Sequence, residues 1–315
     1  MNLRVSPPTS CGEILINTSL QRGVGWRKML ENRFSGFYAF TLIELLAVLA
    51  VLTLLGSMLA TGLARTRPYS ASAQCLNSLR QLTQAWRQYS EDHNELLLTY
   101  GAPSATWTQF GRTNWVQGNL SFYNNPGNWD PHIYIYTSPM FRYTGRDPLV
   151  FRCPADQSTI ATADGSRKPR VRSRSMSQAF GVGEWLDSSG GTSPLAKNWR
   201  VYRQLTDIVL PAKTFVFSDE HPDSMNDGTL ASTCTGNQPS DPPTASYIID
   251  YPANYHDGGC GLSFSDGHCE IHKWIGSRIR NAPITYDNNI ILRVPADDSW
   301  VDMHWLAENT TVRTR

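Results

Sequence analysis

The residues best suited to chemistry lie near the C-terminal end of the sequence: His256, Asp266, His268 and His272. Imidazole and carboxylate groups are metal ligands, and a catalytic zinc needs about three of them plus an open position. His268 and His272 share one face of a predicted strand, but residues four apart in a strand lie about 13 Å apart. A structural role is therefore favoured over a metal, ligand or catalytic one: Asp266 and Gly267 form a turn, and His256 hydrogen-bonds to backbone or to Asp266.

A second group of possible ligands lies in the acidic segment that follows Phe217. It contains Asp219, Asp223, Asn226 and Asp227. Clustered hard oxygen atoms suit calcium, which takes about six to eight of them, but the spacing is not that of an EF-hand. Calcium is thus the one candidate cofactor, and a solvated acidic loop is the alternative.

Other chemistry has little support in the composition. The chain has no Gly-x-Ser-x-Gly elbow and no phosphate-binding loop, so we predict no enzymatic activity. The net charge of +1 gives no electrostatic reason to bind nucleic acid. None of the six cysteines forms a Cys-x-x-Cys pair, which argues against a zinc ribbon, and the sequence leaves disulfide connectivity open.

One carboxylate stands in an unusual place. From Phe40 to Ala64 the sequence is apolar, and Glu44 is its only charged residue. A helix needs about 20 apolar residues to cross a bilayer, and this run is longer. An acid inside such a run costs about 2.5–3.5 kcal/mol on insertion scales, so Glu44 is expected to have a function.

Three interpretations of this N-terminal region compete. The run could be an uncut signal anchor, a signal peptide cut near Ala64, or the start of a mature chain cut between Ala39 and Phe40. The basic residues before the run place the N-terminus in the cytoplasm. An ordinary signal peptide has only about 7–15 apolar residues and no use for a glutamate, so the third interpretation is favoured.

The elements that would position these residues follow from periodicity. Leu79, Leu82 and Trp86 recur at helical steps and predict an amphipathic helix. Asp266-Gly267 between alternating apolar residues predicts a two-residue hairpin turn that pairs Ser265 with His268. Further strands are predicted at Leu149–Cys153, Thr214–Ser218, Tyr247–Ile249, Gly261–Ser265 and His268–Trp274, with a possible short strand at Ile133–Tyr136.

The segment Phe40–Glu44 resembles the start of type IV prepilins and type II secretion pseudopilins. The resemblance implies that a prepilin peptidase/methyltransferase cuts after Ala39 and methylates the new Phe40 amine, although the family usually has Gly before the cut. It also implies that Glu44 pairs with the Phe40 amine of a neighbouring subunit. It favours the calcium loop as well, because major pseudopilins have one.

The C-terminal half resembles a group of prepilin-like proteins that carry a His-x9-Asp-Gly signature. Here the signature is His256, Asp266 and Gly267. Weaker matches to this group occur at Phe151–Asp156, Val171–Ser173 and Phe217–Glu220. Separately, Cys75–Leu82 resembles the membrane-distal half of a pseudopilin first helix. The resemblance extends from residue 36 to about residue 275.

Together these observations predict an α+β, pilin-like fold in which a long N-terminal helix, with a membrane half and an amphipathic half, packs on an antiparallel sheet. The expected parts are a leader (1–39), a transmembrane and polymerisation helix (40–64), the soluble half of the helix (65–94) and a β-rich extracytoplasmic domain (95–315) with the His-x9-Asp-Gly region at about 250–275.

The expected function is that of a pseudopilin-like subunit in a type II secretion or type IV pilus-like filament. Its expected partners are the prepilin peptidase, other pilin-like subunits and an inner-membrane assembly platform, and its location is the bacterial inner membrane with a single pass. Two alternatives are a membrane-anchored binding module, with Trp107, Trp115 and Trp129 as glycan contacts, and a membrane-tethered metal-dependent hydrolase.

Overall fold

The computed structural model describes residues 41–100, 108–109, 111–188, 190 and 196–314, without the side chains of 59–70 and 108–109. The chain divides into two compact units, Met1–Gly56 and Ser57–Arg315. The predicted cleavage site at Ala39 and Phe40 lies outside the described residues, as does Trp107.

The described helices and strands are mostly short. The helices are α1 (Leu42–Asp92), α2 (Pro131–Tyr134), α3 (Ser277–Arg280) and α4 (Trp300–Glu308). The strands are β1 (Thr108–Gln109), β2 (Arg112–Thr113), β3 (Thr159–Ala161), β4 (Arg167–Pro169), β5 (Arg174–Ser177), β6 (Phe215–Asp219), β7 (Thr229–Leu230), β8 (Tyr247–Ile248), β9 (Gly259–Phe264), β10 (Cys269–Lys273) and β11 (Val294–Pro295).

The second unit is organised around a five-stranded sheet of order β10-β9-β6-β5-β7. Its neighbours pair antiparallel except for β5 and β7, which are parallel. The amphipathic stripe of α1 lies in the main core, where Leu79, Leu82 and Trp86 are completely buried. Their burial agrees with their spacing in the sequence, and it holds the residues around Cys75 in the interior.

The predicted pilin-like fold is wrong, although the class is α+β. A search of the described residues for a helix that could cross a membrane finds none. The predicted long helix with a membrane half is therefore not shown. The sheet is also mixed, because β7 joins it beside β5 and parallel to it.

The hairpin exists, but its register differs from the prediction by one residue. Cys269 pairs with Ser263, and the Phe264 amide donates to the His268 carbonyl at 2.9 Å, which leaves a three-residue turn. The reason lies on the other side of β9: the Ser265 amide donates to the Thr214 carbonyl at 2.9 Å, so it does not pair with His268. Gly267 completes the turn at φ +100°.

Two predicted strands are helical turns instead. Asp147 caps a 3-10 helix at Pro148–Phe151 by accepting from the Leu149 amide, so Leu149–Cys153 is not a strand. Asp130 caps α2 by accepting from the His132 amide, in place of a strand at Ile133–Tyr136. In both segments an Asp-Pro pair supplies the N-cap and the first helical residue, and this local effect outweighs the β propensity of the apolar residues that follow.

Candidate metal centre

Four metal-ligand side chains from four separate segments meet in the interior of the second unit: Cys75, Cys153, Asp219 and His256. Cys75 lies on α1, Cys153 follows the 3-10 helix at Pro148–Phe151, and Asp219 ends β6. His256 lies in the turn that precedes β9, and its amide donates to the Gly259 carbonyl at 3.0 Å. The first three are completely inaccessible and His256 is 3% exposed.

The ligand atoms are close enough to share one ion. They all lie within 4.8 Å of one another. The Cys75 thiol donates to Asp219 Oδ2 at 3.0 Å, and Cys153 Sγ lies 3.3 Å from His256 Nε2. His256 Nε2 also lies 3.6 Å from Asp219 Oδ2.

Arg174, on the neighbouring strand β5, binds two members of this cluster. It is completely buried, and its Nε donates to Asp219 Oδ1 at 3.1 Å. Its Nη2 donates to the Cys75 carbonyl at 3.2 Å, to Ser78 Oγ at 2.8 Å and towards Cys75 Sγ at 3.5 Å. One guanidinium therefore fixes both the carboxylate and the helix turn that carries the thiol.

The charges in the cluster shift the protonation of its members. For His256, burial lowers the pKa, but the hydrogen bonds to Asp219 and Cys75 together raise it to about 9. For Cys75, the hydrogen bond from Cys153 and the neighbouring cations lower the pKa below its usual range. For Asp219, burial raises the pKa and the Arg174 charge lowers it, and the net effect is a lowered value. Each of these three shifts is in the direction that favours the charged form of its group, whereas burial raises the pKa of the Cys153 thiol.

Two further residues orient the ligands. Ser72 Oγ lies 3.0 Å from His256 Nδ1, which leaves Nε2 facing the thiol and the carboxylate. The Cys153 amide donates to Ser173 Oγ at 2.7 Å. Gly261 on β9 passes so close that a Cβ there would lie 2.8 Å from Cys75 Sγ and 2.9 Å from Asp219 Oδ2.

A cavity of about 430 Å³ reaches one side of the cluster. It is lined by Cys153 together with polar residues of α1 and the segment 147–156, among them Asn77, Ser78 and Arg152. Of the four residues of the cluster, Cys153 lines this cavity and the other three do not.

Only one residue of the predicted histidine and aspartate group belongs to this cluster. His256 does, but Asp266 lies at the hairpin turn, where its Oδ1 lies 2.6 Å from His268 Nδ1. His272 stacks on Trp305 with ring centroids 3.5 Å apart. The predicted contact between His256 and Asp266 is replaced by the one with Asp219.

The residues predicted to bind calcium have different partners from one another. Asp219 belongs to the buried cluster. Asp223 accepts from the backbone amides of Thr285, Asp287 and Asn288 at 2.7–3.1 Å. Asn226 accepts from the Asp227 amide, and Asp227, whose pKa burial raises to about 6, accepts from the Thr229 amide. Among the described residues, the three aspartates do not form a group of ligand atoms, and calcium binding stays a prediction.

Glu44, the predicted assembly residue, caps the start of its own helix. Its Oε2 accepts from Thr41 N at 2.9 Å and from Thr41 Oγ1 at 2.8 Å. The Glu44 amide in turn faces Thr41 Oγ1 at 3.3 Å. Thr41 and Glu44 thus form a capping box.

The tryptophans proposed as glycan contacts lie in different surroundings. Trp115 is completely buried and its indole donates to the Gly228 carbonyl at 2.8 Å. Trp129 is half-buried, with Lys168 Nζ 3.8 Å from its ring centroid. These two do not form one aromatic surface.

Sequence reasoning missed Cys75 and Cys153 as members of a site. Each lies in a segment that carries the resemblance, as do Asp219 and His256. Each of these four segments contributes one residue to the cluster, and the presence of a ligand-type residue in all of them is the signal that could have grouped them.

Comparisons with models of protein families, with curated proteins and with solved structures find no match to this chain.

Proposed function

We propose that this chain is a structural subunit of a pseudopilin-like filament and that it assembles through the apolar segment beginning at Phe40. The observation that carries the proposal is the exposure of the first helical turns. From Leu42 to Met58 large apolar side chains are exposed by 45–78% on every side of the helix. A helix that is apolar all round needs an apolar environment.

Glu44 indicates what covers this segment. If this segment served only as a lipid-embedded anchor, the carboxylate would add a free-energy cost of insertion without any benefit. A positive charge from another copy would compensate it, and cleavage before Phe40 would create such a charge at the new N-terminus. Thr41 satisfies Glu44 locally, so the carboxylate is already held at the helix start before assembly.

The proposed partners follow from this assembly. A prepilin peptidase/methyltransferase would expose the Phe40 amine, an inner-membrane platform would collect the subunits, and other pilin-like subunits would contribute the neighbouring helices. The proposed location is the inner membrane, with residues after the apolar run outside the cytoplasm. This part of the proposal rests on the sequence run Phe40–Ala64.

The buried cluster supports a structural role over an enzymatic one. A catalytic group must reach its substrate, whereas Cys75, Cys153 and Asp219 have no accessible surface. The cluster joins α1 to the sheet and to two loops, and it would keep the second unit rigid while the apolar segment assembles.

The test separates the charge of Glu44 from its capping hydrogen bonds. Glu44→Gln keeps an acceptor for Thr41 but removes the charge, whereas Thr41→Ala weakens the cap and keeps the charge. In cells that produce the filament, we expect Glu44→Gln to be processed and membrane-bound yet absent from sheared filaments. Thr41→Ala should be incorporated.

N-terminal sequencing of the mature chain accompanies this experiment. A mature N-terminus at Phe40 supports the proposal, and one at another residue contradicts it. Normal incorporation of Glu44→Gln would refute the assembly role of the carboxylate.

A further inference from the structure

We propose that Cys75, Cys153, Asp219 and His256 bind one zinc ion in the interior of the second unit. Two sulfur donors, one imidazole and one carboxylate form the soft and borderline donor set that zinc prefers over calcium or magnesium. The four ligands come from α1, a loop, β6 and the turn before β9. The site goes beyond filament assembly and does not depend on it.

Three distances between ligand atoms lie close to the edges of a tetrahedral zinc site. With Zn–S of about 2.3 Å and Zn–N or Zn–O of about 2.0–2.1 Å, the edges of the tetrahedron are roughly 3.3–3.8 Å. The structure has 3.0 Å between Cys75 Sγ and Asp219 Oδ2, 3.3 Å between Cys153 Sγ and His256 Nε2, and 3.6 Å between His256 Nε2 and Asp219 Oδ2. All the ligand atoms lie within 4.8 Å of one another, so shifts of up to about one ångström would admit the ion.

Charge balance also favours a divalent ion. Two thiolates and the Asp219 carboxylate carry three negative charges, which would be costly in the interior without compensation. The ion supplies two positive charges and the Arg174 guanidinium supplies the third, with His256 neutral. Arg174 contacts both Asp219 and Cys75, so its charge lies where the excess negative charge would be.

The residues behind the ligands have the arrangement found around metal sites. A zinc-bound histidine almost always uses its other nitrogen to bond a protein group, which fixes the tautomer. Here Ser72 Oγ lies 3.0 Å from His256 Nδ1, so Nε2 is free to bind the ion. Asp219 Oδ1 accepts from Arg174, and Oδ2, which also accepts from the Gly261 amide at 3.3 Å, is the oxygen that faces Cys75 and His256.

Zinc binding would release protons from the ligands. The cavity of about 430 Å³ borders Cys153, whose side chain has no solvent-exposed surface. Binding displaces the protons of two thiols and of a charged His256 to solvent, with no change of oxidation state. The bound ion then cross-links α1 to the sheet.

The competing outcome is a disulfide between Cys75 and Cys153. In the structure both are free thiols, and each sulfur faces a polar partner, Asp219 for one and His256 for the other. A disulfide would remove the thiol contacts of the Asp219 carboxylate and the His256 imidazole, whereas a zinc ion would bind all four side chains.

The test starts with the full-length chain purified in mild detergent from zinc-supplemented cells. Elemental analysis should find about one zinc per chain, and thiol counting under denaturing, chelating conditions should find Cys75 and Cys153 reduced. Cys75→Ser and Cys153→Ser should each weaken zinc binding by more than about 100-fold, beyond the loss typical of residues behind the ligands. Cys234→Ser, a buried cysteine outside the cluster, should retain the zinc.

A second measurement does not depend on the variants folding. The wild-type chain is stripped with a chelator and titrated with Co²⁺, which reports its ligands by colour. Thiolate-to-cobalt charge-transfer bands with the visible bands of a tetrahedral ion support the site, and zinc should abolish them and raise the melting temperature. Chains without zinc, a Cys75–Cys153 disulfide, or zinc retained in both ligand variants would each overturn the proposal.

Discussion

Arg174 on β5 pairs directly with Asp219 on β6, and the two side chains form an ion pair at 3.1 Å that is completely inaccessible to solvent. The pair is held by more than its charges, because Arg174 also donates to Ser78 and to the Cys75 carbonyl on α1. A buried charge pair is costly to break, since removing one partner leaves the other charge uncompensated. Through these hydrogen bonds Arg174 links the sheet to α1 at the candidate metal site.

Arg174→Met should lower the free energy of unfolding by about 3–5 kcal/mol, because Asp219 would remain buried without its counter-charge. Urea denaturation of the full-length chain measures the change. Arg167→Met serves as the control: Arg167 is exposed on β4, and its loss should cost less than about 0.5 kcal/mol. Equal effects of the two substitutions would contradict a special role for the Arg174 pair.

Much of the second unit could be predicted from local sequence. The alternation around Asp266-Gly267 indicated the hairpin, and the helical spacing of Leu79, Leu82 and Trp86 indicated a buried stripe. The register was wrong because a contact outside the hairpin, between Ser265 and Thr214, determines it. Local patterns carry no information about such a contact.

The candidate site was beyond sequence reasoning for the same reason. Cys75 and Asp219 are 144 residues apart, and Cys153 and His256 are 103 apart. No periodicity relates positions at such separations, so only the fold brings them together. The expected partner of His256 was the backbone or Asp266, and the carboxylate that lies beside its imidazole is that of Asp219.

His272 should make the chain less stable as the pH falls below neutrality. Burial lowers its pKa from the ordinary 6.5 to about 4. Below pH 6.5 the imidazole of His272 binds a proton in the unfolded chain but not in the folded chain. The contribution of His272 to the free energy of unfolding is therefore complete above pH 6.5 and is lost between pH 6.5 and about 4. After a discount for partial exposure, the loss is about 2 kcal/mol.

The variant His272→Phe isolates this effect. Phenylalanine can keep the stacking on Trp305 but does not titrate. Urea unfolding measured from pH 7 to pH 4 should show a smaller decline for this variant than for the wild type. Ile271→Val on the same strand is the control and should keep the wild-type decline. An identical pH profile for His272→Phe would show that the buried imidazole does not contribute.

Gly261→Ala should destabilise the chain by steric conflict at the cluster. The added Cβ would lie 2.7 Å from Leu79 Cδ1 and 2.8 Å from Cys75 Sγ, distances that require these buried side chains to move. Overpacking of this kind costs about 1–3 kcal/mol. Cys75→Ala in the same chain removes one of the conflicts, so the two substitutions together should cost less than the sum of their separate effects. Strict additivity in thermal or urea unfolding would contradict the close approach.

Asp223 should stabilise the second unit through hydrogen bonds rather than through a bound cation. Its carboxylate accepts from three backbone amides of the segment 285–288. For Asp223, burial raises the pKa, and these amides together lower it below its usual range. Asp223→Ala leaves the amides without their charged acceptor and should lower the free energy of unfolding by about 2–4 kcal/mol.

Calcium dependence distinguishes this role of Asp223 from the predicted calcium loop. We expect the loss in Asp223→Ala to be the same in a chelator and in about 1 mM Ca²⁺, the upper end of affinities for extracellular calcium sites. Asn226→Ala is the control: Asn226 is exposed, its side chain accepts from the adjacent Asp227 amide, and its loss should cost less than about 1 kcal/mol. If calcium instead stabilises the wild type but neither variant, Asp223 and Asn226 bind the ion together, and the hydrogen bonds from the segment 285–288 are the minor contribution.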